Sequence, residues 1–83
     1  MGTATPVLPD LAQIRSNRGI SLQEIARSTK ITLRYLEAIE RGEFEKLPGG
    51  VYAMNYVRQY ARVVDFDEGM LAEHCRKVLE RTS

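Results

Sequence analysis

One cysteine, one histidine and no tryptophan among 83 residues set the first bounds on this chain. Cys75 has no partner for an internal disulfide, so no covalent staple is expected, and a free thiol fits a reducing compartment. His74 stands beside it, and adjacent side chains on a helix diverge by about 100°, so the pair alone cannot hold a metal ion. The chain has no other Cys or His, no glycine-rich phosphate loop, and no nucleophile at motif spacing from a base. Neither a cofactor nor catalysis is expected. Long apolar runs are missing too: none approaches the ~20 residues of a bilayer-crossing helix. The N-terminus lacks the basic start and apolar stretch of a secretory leader, and Pro6 stands where a myristoylation signal requires Ser or Thr. A soluble, cytoplasmic chain with no membrane contact of its own is the expectation. Charge of one sign is also scarce, with 12 basic against 11 acidic residues and a net charge of +1, so nothing global draws the chain to nucleic acid or an anionic membrane.

What is present suits one small all-α domain: 43% apolar residues are enough for a single core of modest stability. Residues 1–9, MGTATPVLP, carry two prolines and no period, and read as a flexible lead-in to a domain at 10–83. Helices are expected at about 10–18, 21–29, 32–41, 51–64 and 67–81. Asp10 caps the first, with Gln13 completing a capping box, and Gly19 ends it. Asp67 caps the fifth, whose Met70, Leu71, Val78 and Leu79 form an incomplete apolar stripe.

The centre of the chain is SLQEIARSTKITLRYLEAIERGEFEKLP, residues 21–48. Ser21 and Glu24 form a capping box, so a helix starts there, with Leu22, Ile25 and Ala26 on its apolar face. The period breaks at Ser28, Thr29 and Lys30. Ile31 follows as a lone apolar residue suited to plug the angle between two helices, and Thr32 caps the next. Leu33, Leu36 and Ile39 recur along that third helix before Gly42 closes it. Phe44 and Leu47 close the bottom of the core, and Pro48 with two glycines stops the helix from continuing. Helix, short turn and helix make a helix-turn-helix unit.

The order LQEIA, KIT, YLEAIERGEFEKLP, VYA and YVRQYAR resembles the helix-turn-helix module of the RodZ cell-shape proteins, within the lambda-repressor-like superfamily of the XRE type. The resemblance spans about residues 8–68. One departure is Met54-Asn55, where that family usually has Arg-Gly. The resemblance implies a five-helix lambda-repressor-like fold and a glutamate of the third helix, Glu40, tied to a basic residue of the first, here Arg15. It also implies a cytoplasmic adaptor of a membrane-anchored parent that docks the actin-like filament protein MreB. The docking aromatics of the fourth helix would match Tyr56 and Tyr60.

The fourth helix carries its own sign of a partner. At about 100° per residue, Asn55, Arg58, Gln59 and Arg62 gather on a narrow polar side. Met54, Val57, Ala61 and Val64 take one flank of the rest, and Tyr52, Tyr56, Tyr60 and Val63 the other. The apolar arc is then roughly 200°, twice the ~100° of one core face. Either neighbouring helices cover the second flank, or Tyr52, Tyr56 and Tyr60 with Arg58 and Arg62 bind a protein partner. The alternative is a DNA-binding regulator. In this superfamily the third helix reads bases, which assigns Leu33, Arg34 and Ala38 to base edges and Lys30, Thr32 and Arg41 to the backbone. Only Arg34 has a donor fork that discriminates guanine, and Glu37, Glu43 and Glu45 oppose phosphate contact.

Overall fold

The computed structural model describes residues 10–49 and 51–82, and the lead-in assigned to residues 1–9 lies outside them. Among the described residues it is all helical: α1 (Leu11–Asn17), α2 (Leu22–Thr29), α3 (Leu33–Arg41), a 3-10 turn (Phe44–Lys46), α4 (Val51–Val63) and α5 (Glu68–Thr82).

Local chemistry explains most of the boundaries. Asp10 accepts the Gln13 N–H at 3.1 Å and so caps α1. The Gln13 side chain does not complete a box: its Nε2 turns forward to donate to Asn17 Oδ1 at 2.9 Å. At α2 the box is complete, with Glu24 N–H donating to Ser21 Oγ and Ser21 N–H donating to Glu24 Oε1. Gly42 ends α3 at φ 74°, where Glu43 N–H reaches back to the Ala38 carbonyl, the Schellman arrangement. The same pattern closes α4 at Asp65, a non-glycine at φ 60°, with Phe66 N–H on the Ala61 carbonyl. In the turn of the helix-turn-helix unit, the Thr29 hydroxyl donates to the Ile25 carbonyl at 2.7 Å and accepts the Ile31 N–H at 3.2 Å. That pair of hydrogen bonds holds the backbone while Ile31 drops into the core.

The core draws on every element: Leu11, Ile25, Leu36, Ile39, Phe44, Leu47, Val57, Val64, Leu71 and Cys75 are all buried. α4 and α5 form the largest helix pair, α2 packs on both α3 and α4, and the 3-10 turn bridges α3 to α5. The apolar stripe of α5 differs from expectation. Met70 faces solvent, whereas Leu71, Ala72 and Cys75 are buried and Val78 and Leu79 half-buried. Cys75 is therefore a core side chain, and burial pushes its thiol up to about 11, which removes it from thiolate chemistry at neutral pH.

Candidate functional site: the tyrosine flank of the fourth helix

Four tyrosines, three of them on α4, have separate fates. Tyr60 is fully buried, and its hydroxyl donates to Glu40 Oε2 at 2.6 Å. That oxygen also receives Arg15 Nε at 2.6 Å, and Arg15 donates a further bond to the Ile20 carbonyl. One carboxylate thus ties α1, α3 and α4 together, and no buried side-chain polar atom among the described residues is left without a partner. Burial first, and the hydrogen bond to Glu40 second, push the Tyr60 hydroxyl far above its ordinary value, so it stays a donor. The assignment of Tyr60 to an exposed docking patch is therefore corrected. A wide apolar arc reports the angle around a helix, and α3 happens to offer a carboxylate to the end of that arc.

Tyr52 and Tyr56 sit differently. Tyr52, in the first turn of α4, is 63% exposed, and Val51 beside it is 81% exposed. Tyr56, one turn later on the same side, is half-buried, and its ring stacks on that of Tyr35 from α3, with centroids 5.8 Å apart and planes 24° from parallel. No hydrogen bond within the described residues engages the hydroxyl of Tyr35, Tyr52 or Tyr56. The flank thus presents one ring stacked on a neighbour and one 63% exposed, and among the described residues neither hydroxyl has a protein partner. Tyr35 stands four residues before Ile39, at the edge of the apolar stripe of α3 and packed against the core, but a ring contact made across two helices has no local signal in the sequence.

Arg58 and Arg62 lie on the polar side of α4 and converge on Glu68, at the start of α5. Arg62 grips it with both ends of its fork, at 2.9 and 3.1 Å, and Arg58 stands 3.6 Å away. The hydrogen bond from Arg62 is the main cause that holds the Glu68 carboxyl below its usual range. Both arginines are exposed, yet their charge is already engaged in joining α4 to α5.

On α3 the DNA assignments divide. Arg34 and Arg41 are exposed, as are Lys30 and Thr32 just before the helix, and Leu33 is 37% exposed. Ala38 is not available: it is 4% exposed, on the last turns of α3, where the chain turns back at Gly42 and Glu43 N–H donates to the Ala38 carbonyl at 2.8 Å. Glu37 is exposed beside the arginines, so this face of α3 is of mixed sign.

Among the described residues no group of three His, Cys, Asp or Glu side chains could hold a metal ion, and no helix is long and apolar enough to cross a membrane. Comparison with known proteins matches residues 10–71 to the model of a family described as a helix-turn-helix domain. Two curated relatives are 36% identical. One is an uncharacterized membrane protein, YmfM, of Bacillus subtilis strain 168, matched over 63 residues that are 76% of this chain and 22% of that protein. The other is the cytoskeleton protein RodZ of Streptococcus pneumoniae R6, matched over 59 residues, 71% of this chain and 21% of that protein. The chain spans about a fifth of the length of these relatives. No solved structure matches it.

Proposed function

This chain belongs to the helix-turn-helix domain family, as a RodZ-like module, and from that membership we propose that it is a non-catalytic adaptor which docks a protein of the cell-shape machinery through Tyr52 and Tyr56. The actin-like filament protein MreB is the partner that the RodZ resemblance implies. The module works on the cytoplasmic side of a membrane-anchored protein, a reading supported by the two relatives, one named for the cytoskeleton and one for the membrane.

The observation that carries the reading is the exposure of Tyr52 in the same helical flank as Tyr56, while Tyr60 is satisfied inside. A 63% exposed tyrosine beside an 81% exposed valine leaves apolar area in water at a cost that a partner relieves. Tyrosine brings large, rigid contact area with only two side-chain torsions to order, which suits it to the centre of an interface. The α3 surface supports nucleic acid less well, since Ala38 is buried and Glu37 lies beside Arg34.

The test is co-sedimentation of the purified domain with polymerised MreB, next to a titration with labelled duplex DNA at low and physiological salt. Saturable pelleting that changes little with salt is the expected result. Absence of pelleting, together with DNA binding that falls steeply with salt and with Arg34→Ala, would replace this reading by a DNA-binding one.

A further inference from the structure

We infer that Tyr35 is a positioning residue for this docking surface: from α3 its ring holds Tyr56 of α4 in the orientation a partner meets. The inference rests on the docking reading above and deepens it by placing part of the surface's order on a second helix.

The stack is the physical link. At 5.8 Å between centroids and 24° between planes, the two half-buried rings sit in the offset-stacked range. Each ring stands on a fixed base. Tyr35 is followed by Leu36 and Ile39, both fully buried, which anchor α3. Tyr56 lies one turn before Tyr60, whose hydroxyl is bonded to Glu40, in the turn of α3 that follows Tyr35. The clasp between Tyr60 and Glu40 therefore fixes the spacing of α3 and α4 next to the stack, and the stack restricts Tyr56 in turn. Tyr52 is 63% exposed, and among the described residues no ring stacks on it.

A partner that closes on a loose tyrosine must also order it, whereas one that closes on a held tyrosine does not. That difference commonly amounts to about 2- to 10-fold in affinity for one side chain. Tyr35 needs no contact with the partner to produce it.

The experiment has two arms. In the first, affinity for purified MreB is measured for the wild type, Tyr35→Ala, Tyr35→Phe, Tyr56→Leu and the combination of Tyr35→Ala with Tyr56→Leu, each with its melting midpoint to show that the domain is folded at the assay temperature. Tyr35→Ala should weaken binding by about 2- to 10-fold, Tyr35→Phe should keep it, and Tyr35→Ala should add no further loss once Tyr56 is leucine. Equal losses on both backgrounds would mean that Tyr35 touches the partner itself and would overturn the inference, as would no loss in the first. The second arm needs no partner. The χ1 angle of Tyr56, read by NMR in the free domain, should be a single rotamer in the wild type and Tyr35→Phe and an average in Tyr35→Ala. A single rotamer retained in Tyr35→Ala would refute positioning outright. Failure of the docking reading looks different: Tyr52→Ala would leave the affinity for MreB unchanged while the χ1 result stood.

Discussion

Tyr60 donates its hydroxyl to Glu40 at 2.6 Å, and this bond separates the aromatics of α4 into one fully buried ring and two that solvent reaches, Tyr56 half-buried and Tyr52 exposed. The carboxylate is shared with Arg15, so a residue of each of three helices meets at one point. Removing any of the three leaves the other two in a half-satisfied, part-buried site.

Substitution at Tyr60 should accordingly cost stability before it costs binding. Tyr60→Phe keeps the ring and loses the donor, for a destabilisation of about 1–3 kcal/mol. Tyr60→Ala loses the ring as well, for about 3–5 kcal/mol, enough to threaten so small a domain. Melting midpoints of the two variants check this, and a Tyr60→Ala domain as stable as the wild type would contradict the buried position.

Alkaline pH gives an independent view of the same bond. The Tyr60 hydroxyl is raised above its ordinary value in the fold, so its contribution is complete below the unfolded value of about 10 and is lost as pH climbs above it toward the folded value. The stability advantage of the wild type over Tyr60→Phe should shrink as pH rises past that point. A gap that stays constant would mean that the hydroxyl ionises as easily folded as unfolded.

The fork on Glu68 makes the opposite prediction at acid pH. Its carboxyl is held low, chiefly by the hydrogen bond from Arg62, so the stabilisation is present above the usual carboxylate value and is lost as pH falls through the lower folded value. Glu68→Gln should lower the melting midpoint slightly at neutral pH and low salt, and the difference from the wild type should vanish in acid and shrink in high salt. A difference that persisted in acid would point to packing and away from charge.

Lys30 ends α2 in the left-handed region at φ 66°. A side chain there costs about 1–2 kcal/mol, which exceeds the extra chain entropy that glycine loses on folding, about 0.5–1 kcal/mol. Lys30→Gly should therefore raise the melting midpoint modestly. A fall would show that the lysine side chain makes a stabilising contact in the helix-turn-helix turn.

Sequence reading went furthest where local chemistry decides the outcome. The Ser21 and Glu24 box, the cap at Asp10, the stop at Gly42 and the plug at Ile31 each depend on residues within a few positions of one another. It failed where the decision belongs to a distant neighbour. Nothing near Tyr60 announces that Glu40 will meet its hydroxyl, so Tyr60 looked like Tyr56. Ala38 is 4% exposed where the chain turns back after Gly42, a reversal that the helical period of α3 does not show. The clamp of Arg58 and Arg62 on Glu68 depends on a reversal at Asp65 that no glycine marks. Cys75, four residues after Leu71, is buried with it and serves the core by its size.

The most direct test is the combined substitution Tyr52→Ala with Tyr56→Ala, measured for both affinity to MreB and melting midpoint. Aromatic anchors at an interface commonly carry about 2 kcal/mol or more each, so pelleting with the filament should be lost. The midpoint should fall far less than in Tyr60→Ala, because Tyr52 is largely in water and Tyr56 is only half-buried. A folded double variant that still pellets with the wild-type affinity would contradict the account and place the partner elsewhere on the domain.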